Sequence, residues 1–443
     1  MKEKSYGAMD YYVSRYTHLF RHQGQHYLFA IRTTDLASIT PALYSLLQEA
    51  KETNSPIEAP QKFLESLREV TAVGYKGEDD IYVREHMLGT MQRCFNQSIL
   101  SLVIAPTTKC NFRCGYCFEP HKDHRVMDDR VEDALFQFTE QHAPHKRVSL
   151  LWYGGEPLLA VDRIESMLRR FEKESYSIYD HTIITNGYYL DDRVIDLFKE
   201  YPLKTVQITF DGDKTRHDGI RKDYRTGEPS YDRILANLIR AQRALPDTLF
   251  SIRVNIDARN QAEFPKIQYE LLETLGGDNI DVYPGYIRTD SDDGKSLGGH
   301  AMEREDIASF ISHSIDCGGC GGKFYPQLGQ KGCSANSISS FVVGPSGELY
   351  KCWNDVTDPE KVVGTIFSPE VTNRQLHADY AISSLWYENP ECRTCKLLPV
   401  CDGGCPYYAI RNLRQGAHYN MCSPFKDEHF FEECILSGLL AKK

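Results

Sequence analysis

The sequence has no long hydrophobic run and no excess of basic residues. No uninterrupted apolar stretch of the 443-residue chain approaches the roughly 20 residues that cross a membrane. The first residues, MKEKSYGAMDYY, lack the apolar core of a signal peptide. Acidic residues outnumber basic ones by 62 to 51, for a net charge of −11, which disfavours nonspecific binding to nucleic acids or anionic membranes. We therefore expect a cytoplasmic protein with neither nucleic acid nor membrane among its partners.

Cysteine, in contrast, is abundant, with 14 residues. Without a secretion signal, so many cysteines indicate metal binding rather than disulfides. Cys110, Cys114 and Cys117 are spaced C-x3-C-x2-C directly after the apolar run 99–105. Thiolates are soft ligands that favour zinc or iron–sulfur clusters, and a cubane normally takes four of them. Three thiolates leave one iron open, and an open iron can bind a small molecule directly.

This spacing, with the aromatic residue Tyr116 before the third cysteine, resembles the signature of the radical S-adenosylmethionine (SAM) superfamily. The resemblance implies that SAM chelates the open iron through its amino and carboxylate groups. One electron from the cluster would then cleave SAM to methionine and a 5′-deoxyadenosyl radical, which abstracts hydrogen from the substrate. The alternative is a structural zinc knuckle, whose fourth ligand would have to come from His121 or His124, beyond Pro120.

From residue 99 to about 310, strand-like and helix-like segments alternate. This order predicts a parallel sheet with crossover helices, and it suits a partial (β/α)6 TIM-like barrel, the fold that the resemblance also implies. The predicted strands are 99–105, 148–152, 181–185, 205–210, 249–256 and 279–283, and the predicted helices are 128–141, 161–175, 191–201, 231–245 and 261–275. Sites in such barrels lie at the C-terminal ends of the strands.

The candidate site residues follow these strands. Gly154 and Gly155 let backbone approach a ligand closely and, with Glu156 and Pro157, match a motif of the family, although a tight turn is the alternative reading. The resemblance implies that the strand ends line SAM and the substrate cavity. The candidate cofactor-binding residues are Tyr116, Gly154, Gly155, Glu156, Pro157, Asn186, Thr209, Arg221 and Arg253.

Two of the polar candidates have a second interpretation. Arg253 can pair with the carboxylate of SAM, or it can form a surface salt bridge. Asp211 can accept a proton during substrate oxidation, which makes it the candidate catalytic residue, or it can cap a helix.

Residues 311–443 contain most of the remaining cysteines. Segment 341–352 reads as a hairpin that turns at 345–347 and returns Cys352, and it is followed by a C-x2-C-x5-C-x3-C pattern from Cys392 to Cys405. This succession resembles the SPASM extension of radical SAM enzymes, which binds two auxiliary [4Fe–4S] clusters. The resemblance implies a first cluster on Cys333, Cys352, Cys405 and either Cys317 or Cys320, and a second on Cys392, Cys395, Cys401 and Cys422. Paired zinc ribbons are the alternative, and Cys94 and Cys434 are expected to be buried apolar thiols.

Residues 1–98 form a separate predicted module. Segments 16–21 and 27–32 suggest a hairpin turning at 23–25, segments 40–51 and 60–67 suggest helices, and segments 71–75 and 80–83 suggest a short wing. This order resembles the winged-helix-like peptide-recognition domain of radical SAM peptide maturases, where a leader peptide adds a strand to the sheet edge. A plain scaffolding domain is the alternative.

The expected organisation is therefore a recognition domain (1–98), a radical SAM barrel (99–310) and a SPASM domain (311–443), with SAM and three [4Fe–4S] clusters as cofactors. The predicted function is an oxidoreductase that installs a thioether or carbon–carbon crosslink in a ribosomally synthesised precursor peptide (RiPP) with a leader, using a reductant such as flavodoxin or ferredoxin. One alternative is an anaerobic sulfatase-maturing enzyme that forms formylglycine. The other is a non-enzymatic zinc-ribbon binding protein.

Overall fold

A computed structural model of the chain describes residues 10–117, 124–287, 302, 304–316, 324–329, 332–368 and 370–440. The described residues fall into two compact units. The terminal unit lies within Met1–Cys94, Cys320–Cys333 and Ser384–Lys443, and the barrel unit lies within Phe95–Gly319 and Ser334–Ser383. Compactness does not test the division into three functional domains, which stays a prediction.

The elements of the described residues are numbered along the chain. The strands are β1 (Tyr11–Val13), β2 (Thr17–His22), β3 (Gln25–Ala30), β4 (Asp35–Ile39), β5 (Val73–Tyr75), β6 (Leu100–Ile104), β7 (Arg147–Trp152), β8 (Ser177–Thr185), β9 (Thr205–Phe210), β10 (Leu249–Ile256), β11 (Ile280–Tyr286), β12 (Ser340–Val343), β13 (Glu348–Tyr350) and β14 (Gly364–Thr365). The helices are α1 (Pro41–Thr53), α2 (Gln61–Glu69), α3 (Glu78–Cys94), α4 (Asp129–His142), α5 (Val161–Lys173), α6 (Asp192–Glu200), α7 (Lys214–Ile220), α8 (Tyr231–Ala244), α9 (Phe264–Leu275), α10 (Arg304–Asp316), α11 (Arg374–Ala378), α12 (Pro390–Thr394), α13 (Pro406–Gln415) and α14 (Glu428–Leu440).

The barrel unit is built on one sheet in which β6 to β11 run parallel in chain order. Helices α4, α5, α6, α8 and α9 connect consecutive strands, so the predicted mixed α/β class with a parallel sheet is confirmed. Aspartates set where several helices begin: Asp128 accepts the Val131 N–H at 2.9 Å, and Asp213 accepts the Arg216 N–H at 2.8 Å. These caps fix the loops that follow β6 and β9.

The predicted hairpin at 341–352 is also present. Val342 pairs with Tyr350 and Val343 with Leu349 in antiparallel register, around a turn that contains Gly347. In addition, β12 pairs in parallel with β6 and so extends the sheet on the side away from β7. No local pattern predicts this pairing, because the two strands lie far apart in the chain.

The terminal unit contains a three-stranded antiparallel sheet in the order β2-β3-β4. The predicted hairpin is confirmed as β2 and β3, which turn at Gln23 and Gly24 with positive φ angles of 48° and 78°. The third strand, β4, was not predicted, and it makes β3 the central strand.

One predicted strand is wrong. Residues 80–83, expected to complete a wing, lie in α3, and β5 pairs instead with β1. Three acidic residues in the first turn favour a helix start because they complement the helix dipole. Tyr82, Val83 and Met87 then pack at helical spacing against buried apolar residues. Three apolar residues in a row cannot distinguish a strand from a buried helix by periodicity.

The two faces of β3 belong to different cores. Phe29 packs in a cluster that joins the N-terminal and C-terminal segments of the terminal unit, here called the shared core; its buried members are Tyr16, Phe20, Phe29, Ile31, Cys94, Leu385, Trp386, Tyr387, Leu397, Leu398, Phe431 and Ile435. Leu28, on the other face, packs in a second cluster with Leu47 and Leu67. Trp386 also donates its indole N–H to the Thr90 hydroxyl at 3.0 Å. The C-terminal segment therefore depends on the N-terminal one for part of its core.

None of the helices in the described residues is both long and apolar enough to cross a bilayer.

Replacing Phe29 with Ala should destabilise the terminal unit by about 3–5 kcal/mol, because Phe29 is fully buried. Hydrogen exchange should speed up in peptides that cover 385–398 and 428–435, since the shared core includes them. Leu28→Ala is the matched control, and its effect should centre on 41–67. Equal effects of both variants on 385–398 would contradict the two-core arrangement.

Candidate active site

The loop that contains Cys110, Cys114 and Cys117 (residues 105–117), here called the cysteine loop, follows β6. Its backbone packs directly against the backbone of the turn after β7. The Gly155 N–H donates to the Thr107 carbonyl at 3.1 Å, and the Glu156 N–H donates to the Lys109 carbonyl at 2.8 Å. A Cβ atom on Gly155 would lie 2.3 Å from the Lys109 carbonyl oxygen, closer than any real contact allows. The sequence suggested that the glycines admit a ligand; in the structure they admit the cysteine loop. The amino group of SAM, as an ammonium, would donate hydrogen bonds to the carbonyl oxygens of the two glycines. This contact with SAM stays a prediction.

Glu156 joins this turn to the end of β8. Its side chain is fully buried and accepts hydrogen bonds from the Thr185 hydroxyl at 2.6 Å and from the Asn186 N–H at 2.7 Å. Burial raises the pKa of Glu156, although these hydrogen bonds oppose the shift. Asn186 in turn donates its side-chain amide to Asn111, in the cysteine loop, at 2.8 Å. The ends of β6, β7 and β8 are therefore fastened together by polar contacts, and Pro157 begins the short turn that follows.

A second network gathers candidates that the sequence had placed on separate strands. The Tyr116 hydroxyl donates to Asp211 Oδ2 at 2.5 Å, and Arg221 Nε donates to the same oxygen at 2.5 Å. Asn255 donates to the Tyr116 hydroxyl at 3.1 Å and accepts from Arg253 Nε at 2.9 Å. Thr209, at the end of β9, lies opposite Arg253 in the sheet register. The structure thus brings Tyr116, Asp211, Arg221 and Arg253 into one chain of contacts through Asn255.

The charges of this network are fixed by burial and pairing. Burial raises the pKa of Tyr116 well above its ordinary value, so the phenol keeps its proton and donates it. Burial alone would lower the pKa of Arg221, but Tyr116 and Asp211 raise it well above its ordinary value. Asp211 is 1% exposed, and its partner Arg221 is a permanent cation.

His217 stabilises the backbone that carries Asp211 and Arg221. Its Nδ1 accepts the Asp211 backbone N–H at 3.3 Å, so Nε2 carries the proton and faces the Ser230 hydroxyl at 3.0 Å. Ser230 donates onward to the Arg221 carbonyl. Burial lowers the pKa of His217 to about 4, which keeps the ring neutral.

Two buried polar atoms of the site have no hydrogen-bond partner among the residues that the structure describes. They are the acceptor Asp211 Oδ1 and the donor Asn111 Nδ2. An unsatisfied buried polar atom costs about 1–3 kcal/mol, so each atom calls for a group that is not part of the described chain. One acceptor and one donor beside three thiols fit a bound cluster and a polar ligand.

Asn111, Asn255, His217 and Ser230 were not among the candidate site residues predicted from the sequence. Asn255 had a signal, because it lies two residues after Arg253 and therefore on the same face of β10. Ser230 had none, since nothing in its neighbourhood distinguishes it from a helix cap.

The terminal unit brings together the four thiols predicted for the second auxiliary cluster. Burial, together with the neighbouring thiols of Cys401, Cys395 and Cys422, raises the pKa of Cys392 to about 11. A thiol with a raised pKa keeps its proton at neutral pH unless a metal ion replaces that proton, because metal ligation requires the thiolate. The Leu397 N–H already donates to the Cys395 sulfur at 3.4 Å. No three Cys, His, Asp or Glu side chains within the described ranges are arranged to hold a single metal ion.

The structure describes only three of the five cysteines predicted as candidates for the first auxiliary cluster. Cys333 and Cys405 belong to the terminal unit and Cys352 to the barrel unit, while Cys317 and Cys320 lie outside the described residues. Their ligation of a first auxiliary cluster stays a prediction. Cys94 and Cys434 are buried, as expected, at 6% and 0% exposure.

Comparison with known proteins defines the class of this site. Residues 104–268 match the model of the Radical SAM superfamily. The chain therefore carries a radical SAM domain and is an enzyme of that superfamily, with SAM and a [4Fe–4S] cluster as cofactors. This assignment removes the non-enzymatic zinc-ribbon hypothesis.

Two known enzymes are similar to this chain over most of their own length. The chain is 25% identical over 353 residues to the serine-type anaerobic sulfatase-maturating enzyme of Klebsiella aerogenes, which covers 73% of this chain and 84% of that protein. It is 24% identical over 370 residues to the cysteine-type anaerobic sulfatase-maturating enzyme of Clostridium novyi (strain NT), covering 76% and 95%.

Two solved structures share the fold. Native anSMEcpe with bound AdoMet and Cp18Cys peptide gives a TM-score of 0.58 at 20% identity, over 77% of this chain and 97% of that one. Streptococcus suis SuiB bound to precursor peptide SuiA gives 0.53 at 15% identity, over 94% and 99%.

The neutral, buried His217 predicts a pH dependence of stability. An ordinary histidine titrates near 6.5 in the unfolded chain, so between pH 6.5 and about 4 the unfolded state binds a proton that the folded state excludes. Stability from this group is complete above pH 6.5 and falls as the pH drops. For His217→Asn, the loss of unfolding free energy of the apoprotein between pH 7 and pH 5 should be smaller than in the wild type by about 2 kcal/mol. Urea titrations at both values measure it.

His145→Asn, at an exposed position, is the control and should keep the pH dependence of the wild type. An unchanged pH dependence in His217→Asn would show that the ring is not held neutral.

Proposed function

We propose that this enzyme modifies a ribosomally made peptide and that Cys110, Cys114 and Cys117 hold the [4Fe–4S] cluster that binds SAM. The observation that carries the proposal is the cysteine loop itself, at the C-terminal edge of a parallel sheet. Beside it lie one buried acceptor and one buried donor that no described residue pairs. Cluster and SAM together, when bound, supply a radical that abstracts hydrogen. The chain's own residues bind and orient the cofactors and the peptide, and they exclude water from the site.

Arg221 and Asp211 have separate parts in this proposal. The Arg221 guanidinium is a buried cation that can bind the carboxylate of SAM. Among the described residues, its Nε donates to Asp211 and its Nη2 to Tyr116, which leaves further N–H groups for a ligand. Asp211 Oδ2 is held by Tyr116 and Arg221, which leaves Oδ1 to accept a hydrogen bond or a proton from the ligand. Arg253 acts through Asn255 on Tyr116 and thereby orients the aromatic residue of the cysteine motif.

The proposal includes two auxiliary clusters, and therefore three in all. The four neighbouring thiols of Cys392, Cys395, Cys401 and Cys422 support the second one. The first would use Cys333, Cys352 and Cys405 with Cys317 or Cys320. The reductant would be a protein of the flavodoxin or ferredoxin kind.

The N-terminal segment supports a peptide substrate with a leader. An alignment over 94% of the chain leaves out about 27 residues, fewer than the 85 described residues from 10 to 94, so the fold shared with SuiB includes much of this segment. The anSMEcpe alignment covers 77% of the chain. A peptide is present in both of those structures, and we propose one for this chain.

The most suitable edge for such a peptide is β4, which pairs only with β3 among the described residues. The Ile31 N–H donates to the Tyr16 carbonyl, so by antiparallel alternation residues 26, 28 and 30 of β3 direct their backbone groups to β4. Their partners in β4 are 39, 37 and 35. Leu36 and Ser38 therefore direct their N–H and C=O groups away from the sheet, where an added strand can bind them.

Sulfatase maturation is the second candidate. It is favoured by the two sulfatase-maturating relatives, whose alignments cover most of their own length. The choice between the two functions rests on whether β4 recognises a leader.

Replacing Cys110, Cys114 and Cys117 together with Ala should abolish reductive cleavage of SAM, since the open iron would be lost. With about four irons per cluster and three clusters, total iron should fall by about a third. Product analysis for 5′-deoxyadenosine and an iron assay measure the two effects, with Cys94→Ala as the control. SAM cleavage by the triple variant would contradict the assignment.

Ser38→Pro should weaken leader binding at least tenfold, because it removes an outward N–H without touching the β3 ladder. Ser38→Ala keeps that N–H and should bind the leader as the wild type does. Binding is measured by titration with a labelled leader peptide, and SAM cleavage without peptide should be equal in both variants. If Ser38→Pro processes a leader-bearing peptide as well as the wild type, the segment is a scaffold and sulfatase-type maturation is favoured.

A further inference from the structure

Asn111 presents a buried donor beside the first cysteine of the loop. It directly follows Cys110, is 1% exposed, and its Nδ2 has no hydrogen-bond partner among the described residues. Its backbone carbonyl accepts the Tyr224 N–H at 3.0 Å, and its side-chain oxygen accepts from Asn186 at 2.8 Å. Backbone and side chain are thus both fixed in position, while the NH₂ group remains unpaired.

The orientation of this amide is determined by its neighbours. The oxygen and nitrogen of an Asn side chain are hard to distinguish by shape alone. Here the Tyr188 backbone N–H, which can only donate, points at Asn186 Oδ1 at 2.9 Å. Asn186 must therefore present its NH₂ to Asn111, and Asn111 must receive it with its oxygen. The unpaired atom is necessarily the donor Nδ2.

The acceptor that the site lacks is best supplied by sulfur. The loop already directs one N–H at sulfur, since the Phe112 N–H donates to Cys110 Sγ at 3.4 Å. Three thiolates and the sulfides of a cluster would bring concentrated negative charge to the same loop. Asp211 Oδ1, the other unpaired buried atom of the site, is an acceptor and calls for a donor from the ligand instead.

We propose that the Asn111 side-chain amide donates a hydrogen bond to a sulfur of the cluster held by Cys110, Cys114 and Cys117, and that this bond makes the cluster easier to reduce. The added electron increases the negative charge on sulfur, so a fixed N–H donor stabilises the reduced state more than the oxidised one. No proton moves and no covalent bond changes. The inference rests on the proposed assignment of the three ligands, and it makes Asn111 a cofactor-contacting residue that sets the reduction potential.

The test uses the full-length holoprotein, labelled with ¹⁵N in the side-chain amide of asparagine, reduced and without SAM. Pulsed EPR of the catalytic cluster should show a ¹⁵N coupling and an exchangeable proton coupling in the wild type. Asn111→Ala should lose both, and its equilibrium constant for one-electron reduction should fall about tenfold, which corresponds to about 59 mV.

Asn237→Ala is the matched control. Asn237 is 5% exposed and donates its NH₂ to the Gly187 and Tyr188 carbonyls of the same turn. Its loss should lower stability but leave the couplings and the potential unchanged. Asn111→Asp, close in shape to asparagine, is used for the couplings alone, because its charge shifts the potential by itself.

Several results would overturn the inference. They are a wild-type cluster without ¹⁵N coupling, a coupling that persists in Asn111→Ala or Asn111→Asp, a coupling that appears only with SAM, and an unchanged potential in Asn111→Ala. If neither variant holds the cluster, the wild-type spectrum decides. Failure of the ligand assignment is distinguishable, because a SAM-sensitive cluster signal would then persist in the variant in which Cys110, Cys114 and Cys117 are replaced with Ala.

Discussion

The contact on which the site depends is the backbone packing of Gly154 and Gly155 against the carbonyls of the cysteine loop. A single Cβ at Gly155 would overlap two carbonyl oxygens of that loop, at 2.3 and 2.5 Å. Because the two backbones can touch, two N–H groups of the turn donate to carbonyls of the loop and hold it at the end of β6. The positions of the three thiols, and of Asn111 between them, follow from this contact.

Glu156 extends the same constraint to β8, and the Tyr116, Asp211 and Arg221 network extends it to β9. Burial makes these polar groups costly unless they are paired, and nearly all of them are paired. The two exceptions, an acceptor on Asp211 and a donor on Asn111, are therefore informative. They mark opposite chemical requirements, a donor from the ligand and an acceptor from the cluster, within one rigid frame.

The sequence predicted the alternating strands of the barrel well because a helix with its own periodicity follows each of the first five, and some of these helices begin at an aspartate cap, as at Asp128 and Asp213. It failed at residues 80–83, where three apolar residues suited both a strand and a helix. It also overlooked β4, a five-residue strand in which no residue is fully buried. The site candidates were identified by motif and position, but their contacts were not. Arg253, for example, was expected to pair with SAM or to form a surface salt bridge, and its contact with Asn255 was not foreseen.

Local chemistry was thus settled by the sequence alone: the three thiols on one loop, the glycines after the next strand, and the polar residues at the strand ends. Covalent spacing and side-chain type decide these features without reference to distant residues. The tertiary structure decided which groups pair, that β12 extends the sheet beside β6, and that Phe29 shares a core with Phe431. Those outcomes depend on contacts between residues far apart in the chain, which no local pattern records. They leave Asn111 with a buried donor that none of the described residues satisfies.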